Sequence, residues 1–258
     1  MRRSVATAAV LISSLAAGIL PASAITGGQL DGAAHPGVGM ITFVQDGDHY
    51  RCSGTLVTTT VVVTAAHCTQ GSTNVYVTFD AVGQRAPDMD VNPGDPSRFI
   101  HGTAYADPNY TGGFKYDSLH DIGVVVLDRP ATDVWPTVTL TPLATAGAAD
   151  RLRAGNGSAG QTLFTLVGYG LRFEKPAAGP QKPTAVSDRT RRNATAPLQM
   201  VKGETIKLAE NAADSRGTGG SCFGDSGGPL LLDGRLYGVT AWGAAQFCIG
   251  VEIGRAHV

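Results

Sequence analysis

Gly224-Asp225-Ser226-Gly227-Gly228-Pro229, followed at once by the apolar run Leu230-Leu231-Leu232, is the stretch from which the rest of the chain can be read. Glycines on both sides of a serine let the backbone turn tightly, expose the hydroxyl and aim N–H groups at one point. An alcohol is a weak nucleophile without a base beside it, so a serine displayed this way calls for a histidine elsewhere. Thr64-Ala65-Ala66-His67-Cys68 supplies one, directly after the β-branched run Val61-Val62-Val63. An imidazole in that role needs a carboxylate to fix its tautomer and balance its charge. Asp121 opens Ile122-Gly123-Val124-Val125-Val126-Leu127, which places a carboxylate at the start of an apolar strand.

Strands surround all three motifs. Residues 40–44, 54–57, 61–64, 75–79, 122–127, 162–167, 229–232 and 236–241 are apolar or β-branched runs bounded by Gly, Pro, Asp or Asn, the pattern of an all-β chain. Two stretches suggest helical turns: residues 65–69, and residues 206–214, where Leu208, Ala209 and Ala212 could share a face. With 258 residues, 43% hydrophobic and 16% charged, and with 34 Gly and 14 Pro, the chain is no coiled coil, helical bundle or disordered tail. The length suits one large domain or two of about 120 residues each. Residues 129–142, which carry Pro130, Pro136 and Pro142, read as the connector between halves, and residues 174–183 as a further loop.

Residues 1–24 read as a secretory signal peptide: Arg2 and Arg3, an apolar run from Val5 to Leu20, then the small-residue site Ala22-Ser23-Ala24. Its removal leaves Ile25 first and a net charge near −3, which gives no reason to expect nucleic acid or a membrane as partner. An oxidising destination favours disulfides among Cys52, Cys68, Cys222 and Cys248; of three pairings, Cys52–Cys68 and Cys222–Cys248 are the economical ones. The six histidines form no HExxH motif, His120 reads as a solvated neighbour of Asp121, and no metal or cofactor is expected. Arg189, Arg191 and Arg192 read as a solvated loop, and the sequons at Asn156 and Asn193 as ordinary loop residues.

Taken together, these motifs resemble those of the trypsin/chymotrypsin-type serine endopeptidases, in particular secreted bacterial members. The resemblance runs from Ile25 to about Val251 and follows the family's order: Ile25-Thr26-Gly27-Gly28, Cys52-Ser53-Gly54, His67, Asp121, Ser226 and Trp242-Gly243. It implies two six-stranded antiparallel β-barrels packed together, over residues 25–135 and 136–251, with the site between them. It also implies His67 as general base, Asp121 as its orienting acid, Ser226 as nucleophile, and the N–H groups of Gly224 and Ser226 as oxyanion hole. Signal cleavage after Ala24 would free the Ile25 amine to pair with Asp225 without a separate activating protease. Protein or peptide substrates, protein inhibitors, a monomeric state and an extracellular location complete the expectation. The chain order His, Asp, Ser separates it from α/β-hydrolase esterases. The competing reading is a catalytically inactive, protease-like binding protein.

The same resemblance places the primary substrate pocket at Gly220 and Ser221, with Phe223 at its rim and Trp242-Gly243 as a wall. Gly220 stands where a trypsin-like floor has aspartate, so an uncharged pocket and an apolar or aromatic preference are expected, with Asp214 as the nearby exception. Ala241 replaces a serine that usually bonds the catalytic aspartate, which leaves Asp121 less fully satisfied. The chain stops ten residues after Cys248, and residues 252–258 read like adapter-derived, non-native sequence. The second barrel is therefore expected to be incomplete at its C-terminus.

Overall fold

The computed structural model describes residues 25, 27–112, 120–154, 160–174, 184–211, 218–241, 248 and 251–257, with backbone alone at 153, 154, 174, 211 and 251–257. The fold is nearly all β, as the sequence predicts. After a short β1 (Gln29–Leu30) come β2 (Val38–Gln45), β3 (Asp48–Leu56), β4 (Val61–Thr64), β5 (Thr73–Thr78), β6 (Ile100–Ala106) and β7 (Gly123–Leu127). These last six close into an antiparallel barrel in the order β2-β3-β4-β7-β6-β5.

The first barrel fills its inside with alternate residues of each strand, as the two-residue side-chain period demands. Ile41, Leu56, Val62, Val77 and Val125 are fully buried there, and Phe79 meets Trp135 edge to face at 5.2 Å. Each such side chain stabilises the fold by about 1.5–3 kcal/mol of apolar burial. The register between β4 and β7 runs from Val61↔Val126 to Thr64↔Gly123. The segments just after Thr64 and just before Gly123 therefore leave the barrel side by side, and these segments carry His67 and Asp121.

The second half holds α1 (Ala148–Ala154), β8 (Leu163–Gly168), β9 (Arg172–Glu174), β10 (Thr184–Val186), β11 (Arg192–Lys202), β12 (Thr205–Asn211), β13 (Pro229–Leu232), β14 (Arg235–Thr240) and β15 (Val251–His257). β9 and β10 form a separate hairpin; β11-β12-β15-β14-β13-β8 form a ring, closed because β8 also pairs with β11. The sequence reading has this barrel short of a strand. The backbone of β15 occupies that position, pairing over seven residues with β12 but over only two with β14, so the ring closes by a thin seam.

Two other expectations change. Residues 206–211 form strand rather than helix, and residues 212–214 lie outside the described residues: Ile206, Leu208 and Glu210 are buried on one face of β12 while Lys207 and Ala209 are half-buried. Nor is the arginine cluster a solvated loop, because Arg191 and Arg192 are buried at the start of β11, and Asn193 is a buried strand residue. Arg191 joins the two barrels. Its Nε donates to Asp31 at 2.8 Å, its Nη2 to the Gly32 carbonyl at 2.7 Å, and its Nη1 to the Val38 and Phe79 carbonyls, each at 3.1 Å. Tyr169 lies under the same guanidinium and donates its hydroxyl to the Asp80 carbonyl at 2.8 Å. The sequon at 156–158 and the loop at 175–183 lie outside the described residues, as do residues 1–24.

The economical cysteine pairing is the one formed, Cys52–Cys68 and Cys222–Cys248. The first ties β3 to the turn that carries His67, and the second anchors the chain just before the Ser226 turn. No helix among the described residues is long and apolar enough to cross a membrane.

Candidate active site

His67 sits in a single 3-10 turn, Ala66–Cys68, at the end of β4. The turn is short because β4 must leave the barrel and Cys68 must return to Cys52. Asp121 grips the histidine twice: its Oδ2 lies 2.8 Å from the ring Nδ1, and its Oδ1 accepts the His67 backbone N–H at 2.9 Å. A carboxylate on Nδ1 keeps the proton there and leaves Nε2 as the basic nitrogen. Asp121 is buried, and burial of the Tyr110 hydroxyl together with the negative charge of Asp121 pushes that hydroxyl up to about 12.

The turn around Ser226 is pinned at several points. The Ser226 carbonyl accepts the Ser53 N–H at 2.8 Å, Gly227 donates to the Thr240 carbonyl at 2.7 Å, and Gly228 donates to the Asp225 carbonyl at 2.8 Å. Gly227 has a φ of +77°, and a side chain there would overlap Thr64 Oγ1. Only glycine permits this approach, which presses the serine turn against the strand end that leads into His67.

Two N–H groups are left over. Among the described residues, neither Gly224 nor Ser226 donates its backbone N–H to a protein acceptor. The Phe223 carbonyl accepts the Leu171 N–H at 2.7 Å, which turns the Gly224 N–H of the same peptide to the opposite side. Ser53 Oγ donates to the Gly224 carbonyl at 2.9 Å and accepts the Tyr169 N–H at 3.0 Å, fixing the next peptide. Two adjacent, preoriented N–H donors can stabilise an oxygen that gains negative charge.

A family model described as Trypsin matches residues 27–254. The chain belongs to the trypsin family. It is 31% identical over 202 residues to a trypsin of Saccharopolyspora erythraea, with 77% of each chain covered. It is 32% identical over 210 residues to brachyurin of Leptuca pugilator, covering 78% of this chain and 79% of the relative. Among solved structures it is similar to HL collagenase, with a TM-score of 0.61 at 17% identity over 90% of this chain and 91% of that one. It is likewise similar to neuropsin, with a TM-score of 0.58 at 23% identity over 88% and 90%. At those identities the two structures speak for the fold. Family membership makes the chain a serine endopeptidase.

For a trypsin-family chain, the environment of Asp225 is instructive. Its carboxylate accepts the N–H of Gly170 at 2.7 Å and of Cys222 at 2.9 Å. Burial raises its pKa to about 7 against the pull of those two bonds and of the Arg51 guanidinium; the nearby Glu210 adds to the rise. Ile25 is fully buried, but in the second barrel's core with Phe164 and Leu166, and no hydrogen bond joins it to the Asp225 carboxylate among the described residues. In this 258-residue chain Ile25 carries an amide to Ala24 rather than an ammonium, so it has no charge to offer a carboxylate.

Of the expected pocket residues, Gly220 and Ser221 are buried and Phe223 is 61% exposed, while Trp242, Gly243 and Asp214 lie outside the described residues. Ala241 is buried, as its place after β14 requires. Three residues that sequence reasoning passed over adjoin the site: Tyr110, Arg51 and Glu210. Arg51 donates through Nη1 to Ser187 Oγ at 2.6 Å, while its buried Nε and Nη2 have no hydrogen-bond partner among the described residues. A tyrosine in a loop, an arginine before a cysteine and a glutamate near a strand end carry no local signal of such a role.

Proposed function

We propose that this chain is exported and hydrolyses peptide bonds through His67, Asp121 and Ser226. His67 Nε2 takes the proton from Ser226 Oγ as that oxygen bonds to the scissile carbonyl carbon. The carbonyl oxygen, now carrying the negative charge, is held by the Gly224 and Ser226 N–H groups. Collapse breaks the C–N bond, and His67 passes its proton to the departing amine. Water then adds to the acyl-serine ester with His67 again as base, releasing the acid and restoring Ser226. Asp121 keeps the ring oriented and stabilises its cationic form throughout.

The observation that carries this reading is the double hold of Asp121 on His67 beside a serine turn pressed against the same strand end. Residues 25–135 and 136–251 carry the two barrels, and residues 252–258 are a non-native tail whose backbone continues β15 as far as His257. Signal cleavage after Ala24, in an export signal of bacterial form, frees the Ile25 ammonium. That cation then moves to Asp225 and completes the oxyanion site, so no second protease is required. The enzyme acts as an extracellular monomer on proteins or peptides, and protein inhibitors of this family fit the same cleft. Gly220 adds no charge to the primary pocket, which Trp242 and Gly243 wall, so an apolar or aromatic residue before the scissile bond is the preference this reading carries. Hydrolysis of denatured casein by the chain beginning at Ile25, beside Ser226→Ala, tests the reading: the account requires turnover that the variant lacks.

A further inference from the structure

Arg51 stands directly before Cys52 on β3, and its side chain lies over Gly224: a Cβ built on that glycine would be 3.0 Å from Arg51 Nε. The loop that Arg51 reaches is itself rich in arginine. Its Nη1 donates to Ser187 Oγ at 2.6 Å, two residues before Arg189. The bridge Val82↔Thr190, with the Gly83 N–H donated to the Arg189 carbonyl at 2.9 Å, lays residues 82–85 against this loop and brings in Arg85. Asp188 Oδ2 accepts from Arg172 Nε at 3.4 Å and from Arg192 Nη2 at 2.9 Å. Leu171, next to Arg172, donates to the Phe223 carbonyl at 2.7 Å, so these arginines are stitched to the chain that enters the Ser226 turn.

Their charge is not balanced. Asp188 is taken by Arg172 and Arg192, and Asp225 faces Arg51 from the buried side, where at about 7 it is fully ionised only above neutral pH. The Arg189 side chain is half-buried and has no hydrogen-bond or ion-pair partner among the described residues. Burial first, and then the like charge of a neighbouring arginine, lowers two of these guanidinium groups below their ordinary range: Arg189 beside Arg85, and Arg51 beside Arg189. Like charges gathered in this way repel one another until an anion joins them.

The part of the cleft they border follows from the mechanism proposed above. His67 passes its proton to the departing amine, so the departing segment runs beside the His67 turn and the Cys52–Cys68 disulfide that ties this turn to β3. The residue before the scissile bond points the other way, toward Gly220 and Ser221. Arg51, which precedes Cys52 and covers Gly224, therefore borders the departing segment.

We propose that Arg51 and Arg189 are specificity-determining residues that select aspartate or glutamate in the first two positions after the scissile bond. This rests on reading the chain as a Ser226 endopeptidase. A carboxylate of the departing segment supplies the anion that the arginines lack, and Arg85 and Arg172 add to the same field.

The test uses the chain beginning at Ile25, with every rate divided by a fluorophosphonate count of reactive Ser226. Coumarylamides ending in Phe, Leu, Arg or Lys first identify the best residue before the bond. Internally quenched peptides built on that residue then differ only in the two residues after it: Asp-Glu, Ala-Ala or Lys-Lys. The proposal requires kcat/KM for Asp-Glu to exceed that for Ala-Ala on the order of 5- to 20-fold, with Lys-Lys slowest. About 0.5 M NaCl should shrink the preference. Arg189→Gln should remove most of it while leaving the coumarylamide rate, which involves no residue after the bond, within about twofold. Arg51→Gln should remove it as well. Equal rates on the three peptides, a preference for Lys-Lys, or an acidic preference that survives both substitutions overturns the proposal. If neither variant folds, the wild-type ranking and its salt dependence decide alone. Absence of Ser226 labelling in folded protein overturns the endopeptidase reading itself, and this inference with it.

Discussion

The Cβ position of Gly227 falls 2.8 Å from the Ala65 nitrogen and 2.5 Å from the Ser53 carbonyl oxygen, closer than any real methyl group could sit. The Ser226 turn is therefore fitted onto the histidine-bearing strand end with no room to spare. Gly227→Ala must displace one or the other and adopt a φ that L-residues avoid. We expect a loss of about 3 kcal/mol in urea unfolding and at least a ~100-fold fall in fluorophosphonate labelling rate. Unchanged labelling would mean that the turn and the strand are not coupled.

Asp121→Asn keeps the shape of the side chain but can donate to His67 Nδ1, which drives the proton to Nε2 and removes the base. The expected fall in kcat is about 10^4-fold, the magnitude that goes with the wrong histidine tautomer in this kind of triad. Folding should be nearly unaffected, since the His67 N–H retains an acceptor in the remaining side-chain oxygen. Casein hydrolysis and circular dichroism on the same sample separate the two effects.

Arg191 holds the barrels together, so Arg191→Met leaves Asp31 buried without its cation. Removing one member of a buried pair costs about 3–5 kcal/mol, and thermal unfolding should show it as a large drop in Tm. Burial alone would raise Asp31, but hydrogen bonds from His35, Arg191 and Asn193 outweigh it and hold the carboxyl at about 2. A depressed acid stabilises the fold above its ordinary pKa and ceases to do so as pH falls through the folded value. Stability from this group should therefore be lost between about pH 4 and pH 2, and Arg191→Met should flatten that part of the profile.

Asp225 and Glu210 act in the opposite sense. Their folded values, about 7 and about 6, lie above the ordinary values of 3.8 and 4.5. The unfolded chain loses these protons first, so the 258-residue chain should lose stability as pH rises from about 4 to 7, and level off above. Arg51 facing Asp225 lessens the effect without reversing it. In a Ser226→Ala chain beginning at Ile25, an ammonium at Asp225 would lower that carboxyl and remove most of the slope. Identical urea-midpoint profiles for the two chains would contradict the Ile25–Asp225 pair.

The residues proposed for catalysis, His67, Asp121 and Ser226, stand in local motifs that the sequence displays without tertiary context, and both disulfides are legible in the same way. A glycine-flanked serine or a histidine beside a cysteine needs no tertiary context. Strands β11 and β12 are harder to read because burial there is polar. Arg191, Arg192 and Asn193 look solvated until Asp31 and the carbonyls around them are in place. In β12, Glu210 occupies an inward position, so the alternation of Ile206 and Leu208 breaks off and Ala209 and Ala212 suggest a helical face instead. A charge standing where an apolar residue would be expected conceals the strand.

The closing of the second barrel is also illegible in the sequence, because Val251–His257 has no partner within its own neighbourhood; its register is set by β12, some forty residues earlier in the chain. Its seam to β14 covers only Val239↔His257 and Thr240↔Ala256. Deleting residues 255–258 removes both pairs, and we expect faster proteolytic nicking after β14 with little change in the first barrel. Limited digestion followed by mass spectrometry reports which barrel opens first.

The central claim is that His67 and Asp121 make Ser226 a nucleophile. Its most direct test is the rate of fluorophosphonate addition to the chain beginning at Ile25, with the adduct mapped by peptide mass spectrometry. The account predicts one adduct per chain, on Ser226, with labelling slowed by at least ~100-fold in His67→Ala. Labelling at another residue, or equal labelling of Ser226 in folded His67→Ala, would contradict it.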